Sequence, residues 1–243
     1  MKTYKLIATA MLAALAFVFQ LTNNLIGIPT GFGMTVDLAA FPVILAFLIF
    51  GAEYGISSLM MLGLLILLSS PTGFIGAIMK VSATLPMILV PFAIAKSKGM
   101  SLAKTLILLF IFILLFFYAS AFFSQFHPII PAIFLLGIAL LSTRIKGDVE
   151  LNSPTILLIS LAIAIIIRGI AMIVANIYFA GPMFFHMSSD QFVSFLQTIE
   201  LPFLGKDWAY MVIFFWNAVQ GTIEFSLAWV FAYAFGLRRR YGE

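Results

Sequence analysis

Residues 168 to 180 read RGIAMIVANIYFA, which places an arginine inside a longer apolar segment and ends that segment with an asparagine and a tyrosine. An arginine near the centre of a bilayer costs roughly 2.5 to 3.5 kcal/mol on insertion scales, so it normally faces a partner or a water-filled cavity within a helix bundle. Residues 216 to 224 read WNAVQGTIE, in which Asn217 and Gln220 share one helical face and Glu224 follows one turn later. The two stretches predict a membrane protein that holds a small molecule at a buried polar site.

The composition is that of an integral membrane protein. Hydrophobic residues make up 63% of the chain and charged residues 9%, and the mean hydropathy is +1.17, whereas soluble domains carry about 25% charged residues. The absence of cysteine excludes disulfides, thiolate metal sites and cysteine nucleophiles. Because the basic residues lie between apolar segments and at the chain ends, we expect a lipid bilayer as the environment and no nucleic-acid partner.

Eight apolar segments predict an all-α, polytopic protein with a single membrane domain over residues 1–243. A span needs about 20 residues to cross a hydrocarbon core of roughly 30 Å. Residues 36 to 68, taken as one helix, would be about 50 Å long, so two shorter spans are the alternative. The predicted spans are residues 5–26, 36–51, 54–70, 73–95, 104–124, 128–143, 154–179 and 208–236.

The charge distribution favours two spans in residues 36 to 68. A break between Gly51 and Gly55 puts the clustered basic residues on one side of the membrane, as the positive-inside rule requires. Both termini then face the cytoplasm, and the protein is expected in the cell (plasma) membrane. The first span is predicted to be retained rather than cleaved as a signal peptide, because its apolar segment continues to Leu21. The basic residues concerned are Lys2, Lys5, Lys96, Lys98, Lys104, Arg144, Lys146, Arg238, Arg239 and Arg240.

Two connections on the predicted outer side are long, residues 22–35 and 181–207. The first is rich in Gly and Thr and nearly uncharged, which fits either a loop folded over a pocket or a solvated connector. In the second, residues 187 to 199 predict a short interfacial helix that begins near Ser188. No metal-ligand spacing occurs in this loop, and no metal site is predicted.

Three amides, Asn176, Asn217 and Gln220, have the most ligand-like character. Neutral amides can pair with the donor and acceptor edge of a heterocycle without the cost of desolvating a charge. Amides also join helices in membranes, with about 0.6 kcal/mol per contact, so both roles stay open on the residues alone. Tyr178 lies near a predicted membrane interface, where it serves as a belt residue, a stacking platform or both.

Four charged residues form two predicted pairs. Asp37 begins the second span and Lys80 lies about two turns into the fourth, so they form an ion pair or both contact ligand. Arg168 and Glu224 lie at comparable depths in two polar spans. We expect a structural ion pair between them within the bundle, with direct ligand contact as the alternative.

Residues 34 to 55 read MTVDLAAFPVILAFLIFGAEYG. They resemble the D-x-x-x-x-P element, the apolar run and the F-G-x-x-x-G element of the vitamin-binding S components of energy-coupling factor (ECF) transporters, especially the riboflavin-specific ones. In the second half, Asn176-Ile177-Tyr178 with Pro182, and the residues 215 to 221, FWNAVQG, resemble the N-Y…P and F-N-x-x-K-G elements of riboflavin S components. The resemblance covers residues 5–95 and 154–240.

The resemblance implies a six-helix S-component-like bundle over these two ranges, with residues 104–143 as an inserted transmembrane hairpin. An even number of extra crossings leaves the downstream topology unchanged. The resemblance also implies no enzymatic activity and no cofactor, because S components capture a vitamin for ATP-driven uptake by a transmembrane coupling subunit and two ATPase subunits. The chain carries no P-loop, so the energy must come from such partners.

Site residues also follow from the resemblance. The substrate-binding set comprises Asn176, Asn217, Gln220, Lys80, Asp37, Leu38, Ala39, Ala40 and Tyr178. Gln220 departs from the pattern, since riboflavin S components carry a vitamin-contacting lysine at that position, and an S component for another vitamin is therefore the alternative. Ala10 and Ala14 resemble the A-x-x-x-A face on which the coupling subunit docks, although small residues four apart also serve packing within one chain.

Two functions from other classes are less well supported by the sequence. A membrane-embedded lipid enzyme would need an assembled catalytic set, whereas His127 and His186 lie apart, and neither H-E-x-x-H nor G-x-S-x-G occurs. An autonomous secondary transporter is commonly built from inverted repeats, and no clear internal repeat is visible in the chain.

Overall fold

The structure, a computed structural model, describes residues 3–96, 151, 154–202 and 204–242. Over these residues the protein is mostly helical, with one short β-hairpin. The elements in chain order are α1 (Thr3–Leu21), α2 (Asn23–Ile26), β1 (Ile28–Pro29), β2 (Thr35–Val36), α3 (Ala40–Phe50), α4 (Ala52–Ser69), α5 (Gly73–Lys96), α6 (Pro154–Ala175), a π-helical turn π1 (Asn176–Ala180), α7 (Gly181–Phe185), α8 (Ser189–Gln197), α9 (Ala209–Trp229), a second π-helical turn π2 (Val230–Ala234) and α10 (Leu237–Tyr241).

Five helical segments among the described residues are long and apolar enough to cross a membrane. They are Thr3–Leu21, Ala52–Ser69, Gly73–Ala95, Thr155–Phe185 and Ala209–Ala234. The predicted all-α membrane protein is therefore confirmed at this level. The predicted spans 104–124 and 128–143, and with them the inserted hairpin 104–143, lie outside the described residues.

The predicted second span, residues 36–51, is shorter in the structure. Its helix α3 begins at Ala40 and has 11 residues, all of them buried, so it is about 16 Å long and about half the thickness of a hydrocarbon core. Thr35 and Val36 instead pair with β1. The side chain of Asp37 accepts a hydrogen bond from the Ala39 backbone N–H, which holds the chain in a turn before the helix.

The break between α3 and α4 lies where the sequence predicts it. Gly51 has φ 104° and ψ 177°, a backbone conformation that is accessible essentially to glycine alone. Beyond this break α4 folds back against α3, and a Cβ atom on Gly55 would lie only 2.5 Å from Cβ of Phe47. Two glycines thus create the sharp reversal and the close packing of α3 on α4.

The remaining helices surround this pair. Helix α5 packs between α4 and α6, and α9 packs against both α6 and α3. Helix α1 lies on α3 and α4 through Thr9, Ala13 and Ala16, which are buried. Of the five long apolar helices, α1 is the least buried.

The two chain termini lie at one end of the bundle, here called the terminal end. The Tyr4 hydroxyl donates to the Tyr241 carbonyl at 3.1 Å, and Lys5 Nζ donates to the Gly242 carbonyl. Arg238 Nη1 donates to the Leu48 carbonyl at 2.6 Å, which places the last turn of α3 at the same end. The opposite end carries the β1–β2 hairpin and is called the hairpin end.

The second long connection, residues 181–207, packs over the hairpin end. The predicted helix in the second connection is confirmed as α8, whose N-cap Ser188 accepts from the Gln191 N–H while the Gln191 side chain accepts from the Ser188 N–H. Phe192 and Leu196 of α8 are buried, and Phe185 stacks on Phe192 with ring centroids 5.6 Å apart. The connection is therefore packed against the helices below it.

Candidate functional site

A cavity of about 350 Å³ opens at the hairpin end among α1, α5, α6, π1, α9 and the two long connections. This volume lies within the range of small-molecule sites. Five of the predicted substrate residues line it, namely Asp37, Lys80, Asn176, Asn217 and Gln220, and Arg168 lines it as well. The structure thus brings together side chains that are up to 183 residues apart in the chain.

Asp37 and Lys80 meet on one wall of the cavity. Lys80 Nζ lies 2.9 Å from each carboxylate oxygen of Asp37. The Asp37 side chain is nearly inaccessible, with 3% exposed, whereas 13% of the Lys80 side chain is exposed. An opposite charge and a backbone N–H from Ala39 therefore compensate the buried carboxylate.

Gln220 joins this pair to Glu224 on the same face of α9. Its Nε2 donates to Asp37 Oδ1 at 3.2 Å and to Glu224 Oε1 at 3.1 Å. Both contacts are carboxylate oxygens, which accept hydrogen bonds, so the NH2 group of Gln220 faces them and its side-chain oxygen points away from them. Gln220 therefore fixes the spacing of two carboxylates and contributes an acceptor to the cavity lining.

Arg168 and Glu224 form a buried ion pair. Arg168 Nη1 lies 3.1 Å from Glu224 Oε2, and the two side chains are 2% and 0% exposed. The other carboxylate oxygen, Oε1, accepts from the Ala40 backbone N–H at 3.1 Å. Glu224 thereby binds the first turn of α3, where free N–H groups favour negative charge.

The two asparagines are held by the helices that carry them. Asn217 Nδ2 donates to the Ile213 carbonyl at 2.9 Å, and its Oδ1 accepts from Arg168 Nε at 3.4 Å. Asn176 Nδ2 donates to the Met172 carbonyl at 2.8 Å at the start of π1. A π-helical turn changes the register of a helix and is frequent at functional sites, and here it places Asn176 at the cavity.

The charges in this cluster cancel. Two cations, Lys80 and Arg168, face two anions, Asp37 and Glu224, through contacts of 2.9 and 3.1 Å. Removing a charge from water costs several kcal/mol per ion, and the attraction within each ion pair offsets this desolvation cost inside the bundle. A cavity with this lining suits an uncharged ligand better than an anion or a cation.

The structure does not bring the other four predicted substrate residues into the cavity lining. Ala39 and Ala40 are buried, and their backbone N–H groups bond to Asp37 and Glu224. Leu38 packs against the hydrophobic core. Tyr178 is 70% exposed on the outside of π1. The motif around residues 37 to 40 thus positions the carboxylates, whereas its alanines and Leu38 do not line the cavity.

Several residues of the cavity lining were missed by sequence reasoning. Gln20, Asn23 and Asn24 approach from the end of α1 and from α2, and aromatic rings come from both long connections. The signal for Gln20 was present in the sequence, because it is the one polar residue of α1 after Thr9. The aromatic residues gave no such signal, since the loop conformation decides where they point. They are Phe32, Phe184 and Phe185.

The predicted docking residues Ala10 and Ala14 are exposed on α1, away from the cavity. Their neighbours Ala13 and Ala16 are buried against the bundle. The small-residue face that packs within the chain is therefore a different one from the face formed by Ala10 and Ala14. No cluster of three or more metal-ligating side chains occurs in the part of the chain that the structure describes.

The chain was compared with known proteins at three levels. No protein-family model, curated protein or solved structure matches it.

Proposed function

We propose that this protein is the substrate-binding S component of an ECF-type transporter, which captures riboflavin or a related vitamin for ATP-driven uptake. The single observation that carries the proposal is the cavity at the hairpin end, lined by Asn176, Asn217 and Gln220 beside a charge-balanced cluster. Sequence motifs that resemble those of riboflavin S components supply these residues. Geometry and resemblance thus support the same site.

The lining supports an uncharged, partly aromatic ligand. The side-chain oxygens of the three amides offer acceptors to a heterocycle, because the NH2 groups donate to protein acceptors. The rings of Phe32 and Phe185 offer apolar surface. Because the ion pairs compensate their own charges, a ligand with a net charge would have to be desolvated without a free partner in this cluster. Riboflavin meets these conditions, since it combines an uncharged planar ring system with a polar side chain.

The arrangement of the chain also supports capture from one side and delivery by partners. The cavity lies at the hairpin end, whereas both termini and the basic helix α10 lie at the terminal end. By the positive-inside rule, the terminal end with Arg238, Arg239 and Arg240 faces the cytoplasm and the cavity faces outward. In this proposal, six helices (α1, α3, α4, α5, α6 and α9) form the S-component-like core, and the predicted hairpin 104–143 adds two spans to give eight.

The partners in this proposal are a transmembrane coupling subunit and two ATPase subunits. The exposed Ala10–Ala14 face of α1 offers the coupling subunit a surface on which another helix can approach closely. Nothing in the described cavity requires chemistry on the ligand, and the role proposed here is binding and transfer.

The proposal is tested by mass spectrometry of small molecules extracted from the purified, detergent-solubilised protein. We expect riboflavin, or another uncharged planar vitamin, at close to one molecule per chain. Asn217→Ala, a change in the cavity lining, should lower the amount of this molecule that copurifies, while Ala10→Trp should leave it unchanged. A stoichiometric lipid or a charged metabolite as the retained molecule would overturn the proposal.

A further inference from the structure

Gln20 occupies a position in the cavity that the ion-pair cluster does not explain. It lies in the last turn of α1, one residue before the helix ends at Leu21. Its side-chain oxygen is buried and has no hydrogen-bond partner among the described residues. Rotating the amide by half a turn would bury its NH2 group instead, so either orientation leaves a polar group that requires a partner.

The cavity distinguishes Gln20 from the other buried groups of this kind. Four further side chains within the described ranges carry a buried polar atom without a partner: Ser58, Thr84, Ser160 and Trp216. None of the four lines the cavity, whereas Gln20 does. Across the cavity, Asn176, Asn217 and Gln220 have their amide donors bound to protein acceptors. Gln20 therefore offers hydrogen-bonding capacity that the described residues leave unused.

We propose that the Gln20 amide turns into the cavity that the residue lines, binds the ligand directly and determines specificity by accepting a hydrogen bond from it. This inference rests on the proposed function, because it assigns a further contact within the same vitamin site. It also extends the site to α1, the least buried of the long apolar helices, so that bound ligand joins α1 to α6 and α9. The resemblance to S components assigns no ligand contact to this position.

The test is a titration of riboflavin into the wild type, Gln20→Leu and a matched control, Gln197→Leu. Gln197 lies on α8, is exposed and does not line the cavity. Loss of one ligand hydrogen bond should weaken binding by Gln20→Leu roughly 3- to 10-fold, with the control unchanged. The thermal midpoint of Gln20→Leu without ligand should equal or exceed that of the wild type, because an apolar side chain removes an unpaired polar group.

The outcomes separate this inference from the proposed function. If the wild type binds neither riboflavin nor another uncharged planar vitamin, both are wrong. If the wild type binds riboflavin and Gln20→Leu binds it equally well, Gln20 makes no hydrogen bond to the ligand. In that case only this inference is overturned, and the proposed function stands. A lowered thermal midpoint with unchanged affinity would likewise assign Gln20 a structural role. Gln20→Met, an unbranched apolar replacement of similar length, serves as the second variant if Gln20→Leu does not fold.

A second ligand identifies the donor. Lumiflavin has the ring system of riboflavin and its ring N–H but lacks the polyhydroxylated side chain. If Gln20→Leu weakens binding of both compounds equally, Gln20 accepts from the ring N–H. If only riboflavin is affected, it accepts from a side-chain hydroxyl. Both results support direct contact, whereas no change with either compound overturns it.

Discussion

Each buried charge at the cavity has a partner within hydrogen-bonding distance, and each partner comes from a different element. Asp37 precedes α3, Lys80 lies on α5, Arg168 on α6 and Glu224 on α9. The ion pairs therefore join four segments that are distant in sequence. A charge that loses its partner in such a setting has neither water nor counter-ion to compensate it.

Removing one member of the Arg168–Glu224 pair should destabilise the protein strongly. We expect Arg168→Met or Glu224→Gln to cost about 3 to 5 kcal/mol, and the double variant to cost clearly less than the sum, since no stranded charge remains. A double-mutant cycle of thermal stability in detergent measures the coupling between the two residues. Additive losses would show that the 3.1 Å contact carries no coupling energy.

The amides on α9 are expected to affect ligand affinity in addition to supporting the buried charges. Asn217→Ala and Gln220→Ala should each weaken riboflavin binding by about 0.5 to 1.5 kcal/mol, or more where a polar group is left unpaired. Titration of the purified variants measures this change, and thermal unfolding confirms that they remain folded. Tyr178→Ala is the control, because Tyr178 lies outside the cavity lining. Equal affinity of a folded Asn217→Ala, Gln220→Ala double variant would place the ligand elsewhere.

At the residue scale, sequence reasoning succeeded where a polar group interrupts an apolar helix. Arg168, Asn217, Gln220 and Glu224 were visible for this reason, and the structure places them in one cluster. The sequence did not show that Leu38, Ala39 and Ala40 lie outside the cavity lining, because a motif does not reveal whether a backbone N–H or a side chain makes a contact. The N–H groups of Ala39 and Ala40 bond to carboxylates instead.

Among the elements, the α3–α4 hairpin depends on glycine for close packing. Gly55→Ala should destabilise the protein by about 1 to 3 kcal/mol, because an added methyl group overpacks the contact with Phe47. Alanine is otherwise the better helix former by about 1 kcal/mol. Gly221→Ala is the matched control, since its Cβ would meet neighbours no closer than 3.4 Å. Thermal unfolding measures the loss of stability in both variants. An equal loss in Gly55→Ala and Gly221→Ala would show that close packing against Phe47 is not the cause.

The exposed alanine face of α1 is expected to serve association rather than folding. Ala10→Trp and Ala14→Trp should abolish binding to the coupling subunit and ATP-driven uptake, because a large ring holds two helices apart. Riboflavin binding to the isolated variants should persist. Ala13→Trp, at a buried position one residue away, should instead impair folding.

Two assays on the same variants decide between these roles. Intact uptake by Ala10→Trp would show that this face is not the docking surface. Joint loss of fold and ligand binding would show that Ala10 packs within the chain, contrary to its exposure in the structure.

Element boundaries followed from sequence where glycine or a capping residue marks them. The reversal at Gly51 and the helix that starts after Ser188 belong to this class. The late start of α3 could not be predicted, because the hydrophobic run begins at Val36, whereas the Asp37 side chain accepts from the Ala39 N–H in a turn before the helix and pairs with the distant Lys80. The π-helical turns at Asn176 and Val230 carry no composition signal either.

On the scale of the whole molecule, the described residues form a helical membrane protein with a cavity at one end and both termini at the other. Hydropathy predicts this class because few charged residues can be accommodated in a hydrocarbon core. The cavity itself required the structure, since its lining combines five helical segments and two long connections. The central claim is that this cavity binds an uncharged vitamin.

The most direct test of this claim is equilibrium titration of riboflavin into the purified wild-type protein, followed by the quenching of flavin fluorescence. We expect saturable binding of one riboflavin per chain, weakened by substitution of Asn217 and unchanged by substitution of the exposed Tyr178. Absence of saturable binding, or saturable binding to which Asn217, Gln220 and Gln20 are all indifferent, would contradict it.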